Sequence, residues 1–226
     1  QNAAPEVSPV NTNIADNAPK AVDALSSKAI ASSQIVSVIK TAKNIIEIDN
    51  LGRIAQVTLL EDKYKDENGN QIKLFEANQL RPLEVRFADT NLNTEAFKVS
   101  VVASSANIDA TTSVQELVLT QSLGGSVLTK KLTIYPDGHY DLTVSATNDK
   151  QFFITNGFRP NVLADMYAVH GLIVKLNDNT LKTIEDGDSD KNENITGVKF
   201  VSNFDRYYAT VIYNFEKSLL ITLMPD

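Results

Sequence analysis

The sequence predicts an all-β fold, a sandwich of two antiparallel sheets, and three observations carry that expectation. Short runs alternate apolar and polar residues with period two, turn residues punctuate them closely, and amphipathic helical spacing is almost missing from Ile35 onward. The clearest run is Leu128 to Thr147. Leu128, Lys130, Leu132 and Ile134 fall on one face of an extended chain, and Thr129, Lys131, Thr133 and Tyr135 on the other. Past Pro136-Asp137-Gly138 the alternation resumes, with Tyr140, Leu142, Val144 and Ala146 set against Asp141, Thr143, Ser145 and Thr147. Proline presets φ and glycine permits positive φ, so the pattern predicts a half-buried hairpin about this turn.

Taken from the start of the chain, residues 1–34 are rich in Ala, Ser, Asn and Pro and poor in large apolar side chains. Such a stretch buries too little surface to offset its ordering entropy and reads as a tether. Val22, Leu25 and Ala29 nevertheless have the spacing of a short helix. Residues 35–226 read as the folded domain. Limited proteolysis is expected to trim the chain to the neighbourhood of Ile35 and leave a stable remainder. A remainder that unfolds after that cut would move the boundary.

Within the domain, Ala55, Val57 and Leu59 alternate, as do Leu83, Val85 and Phe87, then Phe97, Val99 and Val101. Leu117 and Leu119 share a face, and so do Val211 and Tyr213. Asn68-Gly69 between Lys63-Tyr64-Lys65 and Ile72-Lys73-Leu74 predicts a second hairpin. Further turns fall at Asp49-Asn50-Leu51-Gly52, Gly124-Gly125, Asn156-Gly157 and Asn177-Asp178-Asn179.

Composition narrows the function. A chain of 226 residues, 42% hydrophobic and 22% charged, can bury a sizeable core. A net charge of −7 argues against nucleic acid and against adsorption to anionic lipid, both of which need clustered Lys and Arg. The absence of cysteine excludes disulfides, thiolate metal sites and thiol catalysis. Apolar runs such as Leu219 to Met224 are far shorter than the ~20 residues of a spanning helix, and the start at Gln1 reads as a piece of a longer protein.

No catalytic, cofactor or metal motif stands out. His139 sits in the Pro-Asp-Gly turn and reads as a solvated loop residue. His170 precedes Gly171 and reads as a half-buried strand residue; paired with Glu185 or Asp205 it would resemble the acid and base of a sugar epimerase. Asp186, Asp188 and Asp190 have the spacing of a calcium loop, but Lys191 and Gly197 stand where that loop needs Gly and Glu. Phe152, Phe153, Phe158 and Tyr167 cluster with Arg159-Pro160. The candidate groove is therefore Phe153, Phe158, Arg159, Tyr167 and His170, for a peptide or a sugar, with core packing as the competing role of the aromatics.

The hairpin's second arm, Tyr140 to Asn148, resembles the large periplasmic domain of the YidC-type membrane protein insertases. Ile35 to Glu76 is similar to that domain's opening strands, and Val198 to Phe215 to its aromatic strand segment. The family's usual Gly-Gly turn is Leu51-Gly52 here, and its usual Trp is Phe200. The resemblance implies a β-supersandwich like that of galactose mutarotase, with a short or absent C-terminal helix. It also implies a non-enzymatic, monomeric, cofactor-free domain at the periplasmic face of the inner membrane. The partners it implies are nascent membrane proteins and SecD–SecF of the Sec translocon. The alternatives are a carbohydrate-binding module and a mutarotase-like sugar epimerase.

Overall fold

A computed structural model describes residues 34–160, 162, 169–188 and 192–224. The expected tether and its short helix lie outside them. β1 (Ile35–Thr41), β2 (Asn44–Asp49) and β3 (Ile54–Leu59) form an antiparallel meander, followed by β4 (Val85–Phe87) and α1 (Thr90–Ala96). Next come β5 (Val102–Ala103), β6 (Asn107–Ala110), β7 (Gln115–Leu123), β8 (Ser126–Ile134), β9 (Tyr140–Ala146) and β10 (Phe152–Ile154). The last third holds β11 (Gly171–Leu176), β12 (Leu181–Glu185), β13 (Glu193–Phe204), β14 (Ala209–Tyr213) and β15 (Leu219–Leu223).

The described strands are consistent with the expected all-β sandwich, and their hydrogen bonds group them into four sheets. The orders are β3-β2-β1-β6, β5-β7-β8-β9, the pair β10-β4, and β12-β11-β13-β14 with β15 also on β13. One neighbouring pair, β1 with β6, is parallel. The first two ladders face each other. Ile39, Ile46 and Ile48 pack against Leu117, Leu119, Leu132 and Ile134, all nearly inaccessible to solvent. A second cluster joins Val85, Phe87, Leu92 and Ala96 to Leu123 and Leu128. The five-stranded sheet has a small core of its own around Val174, Val198 and Val201.

The organising hairpin forms as the alternation requires. Leu132 pairs with Leu142 and Ile134 with Tyr140, while Gly138 takes φ of 95° in the turn. Lys130 is buried with the apolar residues of its face. Leu142 packs against the main core and Thr143 points to solvent. Leu142→Asp is therefore expected to destabilise by several kcal/mol, because it buries an unpaired carboxylate, and Thr143→Asp by little. Equal melting temperatures for the two variants would show that the faces are reversed.

Three local expectations need correction. Phe97, Val99 and Val101 do not form a strand; they follow α1, which the periodicity did not reveal. Asp89 caps that helix by accepting from the Asn91 and Leu92 amides, and Leu92, Asn93 and Ala96 face inward. At Asn68-Gly69 the turn is present, with φ of 82° at Gly69, but the pairing across it is short: Lys65 bridges Gln71, Asp66 N–H donates to Asn70 O and Ile72 N–H to Tyr64 O. Its second flank also pairs with β3, through Leu59 N–H to Ile72 O and Leu74 N–H to Val57 O. In β3 the alternation breaks at a bulge: Ile46 pairs with Val57 but Ile48 with Ile54.

Candidate functional site

A cleft of about 780 Å³ opens between the β4–β10 pair and the inner face of the five-stranded sheet. One wall is local in sequence. β10 sets Phe153 opposite Arg86 of β4, and the following loop carries Asn156, Gly157, Phe158 and Arg159 along the rim. The loop is held close to β4: Leu83 N–H donates to Thr155 O, Thr155 N–H to Glu84 O, and Phe158 N–H to Leu80 O. Gly157 takes φ of 80°, and a Cβ there would lie 2.5 Å from the ring and nitrogen of Pro82, so only glycine fits. The opposite wall is apolar, with Leu172, Val201, Ile212 and Ile221 projecting from different strands.

Several polar groups at the cleft have partners within the protein. Asn156 Nδ2 donates to Thr210 O, and Asn203 Nδ2 to Gly157 O, which ties the loop to β14 and β13. Arg159 Nε lies 3.0 Å from Asp186 Oδ2, with its guanidinium 5.3 Å from the Phe158 ring centre. A sugar site needs polar groups free to bond hydroxyls, and Asn156, Asn203 and Arg159 are engaged in this way.

Beneath one wall lies a feature that sequence reading missed, a buried charged cluster. Asp49 Oδ2 accepts from Arg53 Nε at 2.8 Å and from Arg81 Nη1 at 2.7 Å, while its Oδ1 accepts from the Leu51 and Arg53 amides. Glu84 joins Arg53 Nη1 at 2.7 Å to Arg86. Lys130 Nζ donates to Gly52 O and Leu83 O, each at 2.7 Å. Burial pushes the Lys130 ammonium down to about 7; Asp49 and Glu84 oppose that fall, and Arg53 adds to it. Leu83 has φ of 66°, costly for a branched residue, and the Lys130 bond to its carbonyl helps hold it there. The cluster stiffens the turn after β2 and the approach to β4, on which Glu84 and Arg86 line the cleft. The available signal was Glu84 and Arg86 interleaved with Leu83, Val85 and Phe87, charges inside an apolar run.

Of the groove expected from sequence, Phe153, Phe158 and Arg159 come together at the cleft. Tyr167 lies outside the described residues. His170 does not line the cleft, although Gly171 does. Its Nε2 stands 3.1 Å from Oδ1 of buried Asp205 without hydrogen-bond alignment, and that oxygen accepts from the Arg206 amide. Glu185 is an exposed cleft residue, so histidine and carboxylate do not converge there on one open space. His139 is exposed, stacked on Tyr135 at 4.2 Å and bonded to Asp137. Asp186 is paired with Arg159, and Asp190 lies outside the described residues. Among the described residues no three or more His, Asp and Glu come together as a metal site would require.

Comparison with known proteins gives these features a setting. The chain is 38% identical to the membrane protein insertase YidC of Campylobacter jejuni over 229 residues, covering all of the chain. It is a relative of the YidC insertases. YidC of Wolinella succinogenes is 42% identical over 183 residues, 80% of the chain, and that of Helicobacter pylori 32% over 228 residues, 90% of it. The chain spans 42%, 34% and 41% of the lengths of these three YidC proteins. No family model matches the chain. The resemblance first read in three separate segments is thus a similarity along most of the sequence.

Proposed function

We propose that this chain is the periplasmic domain of a YidC-type insertase, a non-catalytic accessory that aids insertion and folding of inner-membrane proteins. The observation that carries the reading is the extent of the similarity, most of this chain against 34–42% of each relative. No helix among the described residues is long and apolar enough to cross a membrane. Membrane-spanning machinery of the helical kind then belongs to the remaining length of such a protein. Asn156, Asn203 and Arg159 at the cleft are tied to other parts of the protein, which supports a role in contact rather than chemistry. Its apolar lining matches an apolar segment of a nascent membrane protein, and the resemblance supports docking to the Sec translocon through SecD–SecF.

The net charge of −7 favours protein partners over anionic lipid. The purified chain is expected to stay in the supernatant when spun with phosphatidylglycerol-rich liposomes at low salt. Salt-sensitive co-sedimentation would reveal a basic face and replace protein docking by lipid contact.

A further inference from the structure

An exposed sheet edge invites pairing unless charge, proline, a bulge or a covering segment protects it. Several edges of the described sheets are protected. The edge of β3 is covered by the Ile72 and Leu74 bonds, β6 carries Asp109, β9 carries Asp141, and β12 carries Lys182 and Glu185. Among the described residues β14 has none of these: it reads Ala-Thr-Val-Ile-Tyr, pairs there only with β13, and keeps regular register. Asn214 N–H donates to Lys199 O, which sets the phase of the ladder. Even-numbered residues of β14 bond to β13, so the main-chain groups of Ala209, Val211 and Tyr213 point to the open side. The side chains of Val211 and Tyr213 are about half exposed, and Tyr207 and Phe215 beyond the strand ends more so.

The sequence around this edge is complementary to its own reverse. We propose that β14 pairs antiparallel with β14 of a second copy of this chain, about a two-fold axis through Val211. In that register Val211 meets Val211, and Ala209 meets Tyr213, small against large, with each pair exchanging both main-chain bonds. Just past the strand, Tyr207 falls at the end bearing the other copy's Phe215, whose ring lies 4.9 Å from Tyr213. Beyond them Arg206 falls at the end bearing Glu216, opposite in charge. A foreign strand would need no such symmetry, and this self-complementarity singles out a second copy as the occupant. The contact goes beyond the monomer expected from sequence. One strand pair is smaller than a standard interface, so the association is weak and depends on concentration.

The chain contains no cysteine, which makes the test direct. Residues facing across a bonded antiparallel pair have Cα atoms about 5.5 Å apart, within disulfide reach. Val211→Cys is expected to form disulfide-linked dimers under mild oxidant at least about tenfold faster than Leu181→Cys, an exposed control on β12. In sedimentation, the mass of the unmodified chain should rise with concentration, and Val211→Lys should weaken that rise about tenfold by facing two charges at the axis. Equal cross-linking at the two sites overturns the proposal. So does a single-chain mass throughout the series, including the case in which the edge serves a different polypeptide.

Discussion

Asp49→Ala is expected to destabilise the domain by about 3–5 kcal/mol, enough to unfold a protein of ordinary stability. Asp49 is fully buried, accepts from both Arg53 and Arg81, and receives the Leu51 and Arg53 amides in the turn after β2. Removing it leaves two buried guanidinium groups without their shared carboxylate and two amides without an acceptor. Asp49→Asn keeps an oxygen for the amides but loses the charge, and should fall between. Asp66, which bonds Asn68 and Asn70 in an exposed turn, is the control; its loss should cost far less. Urea denaturation measures all three. A cost for Asp49→Ala no larger than for Asp66→Ala would mean that water replaces the carboxylate and that the cluster is not dry. The large cost is that of breaking the cluster; replacing all its members by well-packed apolar residues could be neutral.

The second large effect is a pH dependence centred on Lys130. Its ordinary value is 10.5 and burial lowers it to about 7 in the folded protein. The unfolded chain therefore binds the proton more tightly, and stability must rise with pH between those values. The contribution is complete above 10.5 and is lost as pH falls through about 7. The slope approaches ~1.4 kcal/mol per pH unit in between. Unfolding midpoints at pH 7, 8 and 9 should climb for the native sequence and flatten for Lys130→Met. The variant also leaves the carbonyls of Gly52 and Leu83 unpaired, at about 1–3 kcal/mol each, so it should be the weaker protein at pH 9. A flat native profile over this range would show that the amine stays hydrated.

How far the sequence could be read depended on how local each interaction is. The hairpin of β8 and β9 was legible because period two and a Pro-Asp-Gly turn act within twenty neighbouring residues. The same alternation put Lys130 on the buried face, yet nothing nearby in sequence announced the carbonyls of Gly52 and Leu83 that receive its bonds. Helix α1 escaped notice because it is short and turns only Leu92, Asn93 and Ala96 inward; Asp89 as its cap was the usable clue. Around Asn68-Gly69 the turn signal was sound, but the second flank divides its bonds: Ile72 donates across the turn to Tyr64 O and accepts from Leu59 of β3, and Leu74 bonds only to β3. The cleft divides the same way. Phe153, Phe158 and Arg159 lie together in sequence and line it, whereas Leu172, Val201, Ile212 and Ile221 reach it from strands whose pairing no local pattern dictates. His170 was drawn to the groove by its neighbour Gly171, but its ring turns instead toward Asp205.

The central claim is that this domain makes contacts for an insertase through an apolar cleft rather than performing chemistry. Its most direct test places a photo-reactive phenylalanine analogue at Phe158 in the full-length insertase during synthesis of an inner-membrane protein. The expected result is adducts with the nascent protein or with SecD–SecF, lost when Ile212→Glu or Ile221→Glu charges the opposite wall while a probe at exposed Val102 gives none. Absence of adducts at Phe158, together with normal insertion by a protein lacking residues 35–224, would contradict it.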